Sequence, residues 1–257
     1  MLKIKKYIFT ILLLLFYSHI YGQATTQGKD FWVSFGNNYL EPYSSVSLQV
    51  RIVATKATSV KFTFTKMNST ETVLFNANSV YTRNLSAAEK EAVYADDMNY
   101  VSQKSLHIES DEDISVYAIN LLYASTDATS ILPVHAYDTS YYHLSYDNYF
   151  YHYDGYIIVA VEDNTDVYDN TVFVTTLNKS EVYSKYFTDN TARHITTNKP
   201  VAYFTANGCA QVPSDVVACD CLYEQLLPKS LWGVSFMVPV TIRGIERIRV
   251  YAAYDNT

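Results

Sequence analysis

The chain has 257 residues, 49% of them apolar, and a formal charge of −7; it can bury one large core or two ordinary ones, and disorder is excluded. A surface this acidic repels phosphate backbones and anionic membranes, which argues against nucleic acid or lipid as the main partner. Tyrosine is the anomaly, with 25 copies against 12 phenylalanines and 7 glycines, and Tyr, Thr and Val together favour strands.

At the N-terminus, Lys3, Lys5 and Lys6 precede an apolar run over 7–16 and a small-residue exit at Tyr21-Gly22-Gln23. This is the pattern of a secretory signal peptide over 1–22. The run is shorter than the ~20 residues a membrane helix needs, and no cysteine follows it to carry a lipid. The mature protein is therefore expected outside the cell, secreted or on its surface, where disulfides persist.

The next residues, GKDFWVSF at 28–35, alternate as a half-buried strand does. The same period of two recurs at 47–54 and 60–65, which read as a hairpin. Ser86-Ala87-Ala88-Glu89 is a capping box and predicts one short helix near 86–95. Strands follow at 106–108, 114–119, 141–146, 156–161, 171–176, 194–196, 201–204, 233–238 and 247–253. Asn and Asp at the turns reach left-handed conformations almost as glycine does, so a glycine-poor chain can still turn often.

The order of these pieces repeats. Residues 156–167 parallel 50–60 and the final 249–257; 195–207 parallel 108–120; 226–240 parallel 131–146. The spacing predicts an all-β protein of tandem β-sandwich-like repeats of about 95 residues. The first unit covers 23–153, the second 154–245, and 246–257 begins a truncated third. A propeller arrangement would need two blades per unit.

Chemical motifs are sparse. The glycines cannot form a GxGxxG or GxxxxGK[ST] loop, and neither GxSxG nor HExxH is present. No catalytic residue, metal ligand set or cofactor is expected. His143 and His152 have no helical ligand spacing, and the acidic clusters at 109–113 and 162–169 lack a calcium-loop pattern and read as solvated turns. Trp32 and Trp232 read as core fillers. Seven tyrosines crowd into 141–156. Tyr141, Tyr142, Tyr146, Tyr149, Tyr151 and Tyr153 are the candidate recognition surface, because rigid rings with a polar tip give contact area at low entropic cost. The competing reading packs alternate tyrosines against the sandwich.

Cys209, Cys219 and Cys221 in an exported chain imply one disulfide and one odd thiol. Cys219 and Cys221 are too close in sequence to bridge easily. Pairing Cys209 with Cys219 closes a small loop, worth on the order of 3 kcal/mol; pairing Cys209 with Cys221 is the alternative. A zinc site lacks a fourth ligand, and a nucleophilic cysteine lacks a positioned base.

Six stretches carry a resemblance: GKDFWVSF at 28–35, ISVYAIN at 114–120 with TDATSILPV at 126–134, IIVAVEDNTDV at 157–167, and NKPVAYFTANGCAQVP followed by CDCLYEQLLPKSLWG over 198–233. The sequence resembles the IgGFc-binding protein N-terminal domain family, found in secreted animal mucus proteins and in bacterial exported proteins. The resemblance implies a non-catalytic extracellular binding or adhesion module, but not that this copy binds immunoglobulin; the Gly-Gln exit and Asn/Tyr-rich composition point to a bacterial source, and the expected partner is a host or matrix glycoprotein, mucin-like or immunoglobulin-like. The resemblance also implies the Cys209–Cys219 bridge, with Cys221 as the extra thiol, since the family more often has another residue there. No ligand-binding residues of the family map onto this chain. The alternatives are a structural spacer in a surface fibre and a glycan hydrolase using two carboxylates.

Overall fold

The computed structural model describes residues 25–39, 41–146, 148, 153–187, 191–213, 216–239 and 248–255; the leader read at 1–22 lies outside them. Its strands are β1 (Gln27–Val33), β2 (Ser47–Ala54), β3 (Thr58–Phe64), β4 (Ser69–Phe75), β5 (Ser79–Asn84), β6 (Tyr100–Ser102), β7 (Leu106–Leu122) and β8 (Ser125–Ile131). They continue with β9 (Asp138–Tyr142), β10 (Asp154–Ala160), β11 (Thr165–Asp169), β12 (Val172–Leu177), β13 (Val182–Phe187), β14 (His194–Ala210) and β15 (Asp220–Gln225). One helix, α1 (Ala87–Glu91), starts at the expected capping box: Ser86 accepts from the Glu89 N–H while Glu89 accepts from the Ser86 N–H. The protein is all-β, as the strand periodicity implies.

Each of two sheets is wound around one seventeen-residue strand. The first sheet runs β4-β3-β7-β2-β5, with β1 and β8 also on β7; the second runs β12-β11-β14-β10-β13-β6, with β9 and β15 also on β14. Apart from β6, the two orders correspond strand for strand, which is consistent with duplication. The first half of β7 lies between β1 and β3, and its second half between β2 and β8. β14 is flanked in the same way, by β9 and β11 and then by β10 and β15. The partners change over at Asp111-Glu112-Asp113 in β7 and at Asn198-Lys199-Pro200 in β14. Pro200, which has no N–H, falls in that gap in the ladder, where its missing donor costs nothing.

Each expected sandwich is thus a single sheet bent about its long strand, because the two halves of that strand have different neighbours. β9 pairs with β14, so apart from the excursion of β6 to the second sheet, the chain passes from the first sheet to the second between β8 and β9. The segments at 233–239 and 248–255 form no strand, although their alternation predicts strands there; among the described residues no strand pairs with them.

One core cluster joins both sheets, and a second is enclosed by the second sheet alone. β10 is buried throughout: Ile157 and Val159 face the shared core while Tyr156, Ile158 and Ala160 face the second. Close approach of the two sheets requires glycine at position 36, where a Cβ would lie 2.1 Å from the Ala206 Cβ.

Candidate functional site

The edges β8 and β15 meet in a seam built from side chains. Ser125 Oγ accepts from the Cys221 N–H at 2.8 Å, Asp127 Oδ2 from the Tyr223 N–H at 2.8 Å, and Thr129 Oγ1 from the Gln225 N–H at 3.0 Å. Alternate side chains of β8 thus serve alternate N–H groups of β15, and the contacts advance together along both strands. In return, Asp220 Oδ1 accepts from the Thr126 N–H and the Ser125 hydroxyl, and Gln225 Oε1 from the Leu132 N–H. Burial raises the Asp127 carboxyl above its usual range against the opposing pull of its N–H donors. Burial likewise pushes the Cys221 thiol up to about 12, which leaves it protonated and unreactive at neutral pH.

At one end of the seam opens a groove of about 620 Å³ lined by Tyr39, Glu41, the β7–β8 turn at 122–125 and the disulfide loop at 217–219. Tyr123 and Val217 project fully into solvent and Tyr39 is half exposed. Three features fix this rim. Cys209 is bonded to Cys219 with their Cα atoms 5.3 Å apart, leaving Cys221 as a buried free thiol. The Tyr39 N–H donates to the Gly208 carbonyl at 2.8 Å, with Tyr39 in the left-handed region at φ 59°. Buried Asn38 donates from Nδ2 to Asn120 Oδ1 and to the Ser125 carbonyl, and from its N–H to the Tyr94 hydroxyl, which donates on to the Glu41 carbonyl. The buried Asn38 Oδ1 has no partner, but the donors of this network all find acceptors, and with the disulfide they tie the loop of Tyr39 to the turn of Tyr123.

The tyrosine tract is not gathered on one open face. Tyr141 lies in the second core, stacked on Tyr203 at 5.0 Å and donating to the Val201 carbonyl, which corrects its reading as a recognition residue. Tyr142 stacks on His194 at 4.4 Å with Trp232 beside it. Trp232 therefore packs on the surface of the second unit, while Trp32 is buried against His107. Tyr146 lies beneath the Arg249 guanidinium at 3.9 Å, and Tyr153 packs on the shared core. Tyr149 and Tyr151 lie outside the described residues. Strand alternation turns successive tyrosines to opposite faces, which is why a dense tract does not make a dense surface. Tyr39, in the β1–β2 connection, and Tyr123, in the β7–β8 turn, carry no sequence signal of their own.

His143 is fully buried between the Tyr203 hydroxyl (2.9 Å) and the Asp154 carboxylate (2.9 Å), so it holds the core together and does not face a ligand. Among the described residues no group of three or more His, Cys, Asp or Glu could hold a metal ion, and no helix is long and apolar enough to cross a membrane.

The chain is thus an all-β protein of two bent sheets that carries a disulfide-braced aromatic groove at their seam. The model of the family described as IgGFc binding protein matches residues 127–257, from within β8 through β9 to β15 and the disulfide loop. The chain belongs to that family. No curated protein matches the chain, and no solved structure does.

Proposed function

We propose that the protein is a non-catalytic, exported binding or adhesion module that recognises a host or matrix glycoprotein, mucin-like or immunoglobulin-like, through the groove beside the disulfide loop. The observation that carries this reading is the pairing of exposed Tyr39 and Tyr123 with a rim locked by Cys209–Cys219 and by the Asn38 network. Aromatic anchors on a pre-ordered base lose little entropy on binding, the economy that recognition surfaces use. Family membership supports a protein or glycoprotein partner, and the acidic surface favours a ligand that is not polyanionic. Export to an oxidising compartment is supported by the leader pattern and the disulfide.

The test is an array of glycans and glycoproteins, including IgG Fc and mucins, probed with residues 23–257. Binding should fall about tenfold or more on Tyr123→Ala, as expected of an interface anchor, with the melting temperature unchanged because Tyr123 is fully exposed. Absence of binding to every arrayed ligand would sink the adhesin reading of this segment.

A further inference from the structure

Two segments on the C-terminal side of the molecule repeat the sequence pattern of core strands but are not buried in a core. In the first unit Phe31 lies opposite Ile108 of β7, and in the second Tyr141 lies opposite Ile195 of β14. Their neighbours correspond as well: Trp32 stacks on His107 at 4.0 Å, and Tyr142 on His194 at 4.4 Å. β9 follows a Leu-Pro step and a 3₁₀ turn at Val134–Ala136; the same step and turn recur at Lys229–Leu231. Carrying that register forward places Phe236 at the position of Phe31 and Tyr141. Phe31 and Tyr141 are 0% and 1% exposed, whereas Phe236 is 76% exposed.

The second segment gives the same result. Ile52 of β2 lies opposite Val116, and Ile158 of β10 opposite Tyr203, both on the second half of a long strand. The match of AVEDNT at 160–165 with AAYDNT at 252–257 puts Val250 at their position. Ile52 and Ile158 are fully buried, and Val250 is 84% exposed. Val234, Met237 and Ile248 are exposed alongside. Apolar residues in this number, alternating as strands do, mark a surface made to be covered.

We infer that 233–238 and 249–252 are the first two strands of a third unit of the same strand order, and that the surface they present fits one bent strand equivalent to β7 and β14, carried by that unit in the same polypeptide. A second copy of this chain does not fit the requirement. The first half of β7 is already flanked by β1 and β3, and that of β14 by β9 and β11. The inference is independent of which ligand the groove takes.

The experiment extends the full chain: residues 166–232 are appended after Thr257, where Asp255-Asn256-Thr257 stands in for Asp163-Asn164-Thr165. Amide exchange is then followed in peptides covering 234–238 and 249–252. These amides should exchange freely in the 257-residue chain and become protected on the order of a hundredfold in the extended one. Phe236→Asp should abolish that protection in the extended chain, and in the 257-residue chain it should leave the melting temperature unchanged. Absence of protection in the extended chain would overturn the inference. So would unfolding of the 257-residue chain by Phe236→Asp, or a dimer of that chain dispersed by the same substitution, since each would give the segment another partner.

Discussion

The two sheets share a strand order but not an interior. Where the first sheet places Val33, Leu48, Val50, Phe62 and Val116, the second places His143, Asp154, Tyr156, Asp169 and Tyr203 at the matching register positions. Five apolar core positions are thus replaced by polar ones, and the fold survives because the replacements satisfy each other. His143 bridges Tyr203 and Asp154, and Tyr156 donates to Asp169, which also takes Lys185 and Arg193. Burial works against ionisation of Asp169, but those three partners hold its carboxyl below the usual range. The difference teaches that this topology is specified by which faces are buried, not by how greasy they are. A buried polar group is tolerated once its partners arrive with it.

That comparison can be broken most directly by giving the second sheet a single residue of the first. Asp154→Leu, the counterpart of Leu48, strands His143 and should cost about 3 kcal/mol or more. Adding His143→Val, the counterpart of Val33, should recover more than half of the loss, read as the urea midpoint of the double variant. A double variant no more stable than the single one would mean that the two interiors are not interchangeable.

A smaller effect is expected at Asp169. Asp169→Ala leaves Lys185 and Arg193 facing a void and should cost about 2 kcal/mol, less than a fully buried pair because both cations retain some solvent contact. The sign with pH follows from the depressed carboxyl. Its contribution is present above the ordinary Asp value of 3.8 and is lost as pH falls through the lower folded value. Denaturant melts of wild type and variant should therefore converge at acid pH and separate toward neutrality.

The smallest effect belongs to the seam where both sheets contribute. Asp127 is raised by burial, so its charge is a burden at neutral pH. Asp127→Asn keeps an oxygen for the Tyr223 N–H and should gain less than about 1 kcal/mol at pH 7. The gain should vanish below pH 3.8, where the wild-type side chain is neutral in both states. A loss of stability instead would show that the seam needs the carboxylate charge.

The strand alternation and the capping box were legible because each is a local pattern with a local cause. β4 and β5 were not: Phe75 is their one buried position, so no apolar period marks them. Nor was the groove. It is made where Tyr39, Tyr123 and Val217 converge from three connections, and no window of sequence holds all three. The tyrosine tract misled for the opposite reason, since its density is visible locally while the burial of Tyr141 depends on Tyr203 some sixty residues away.

On the β8 side of the seam the acceptors that serve β15 fall at every second residue: Ser125, Asp127 and Thr129. Sliding one edge past the other by a single position would bring Thr126, Ala128 and Ser130 opposite those N–H groups and turn the working side chains to the other face. The joint therefore behaves like a key with three wards: it admits one setting, and it fixes the angle at which the braced groove is offered to whatever it meets.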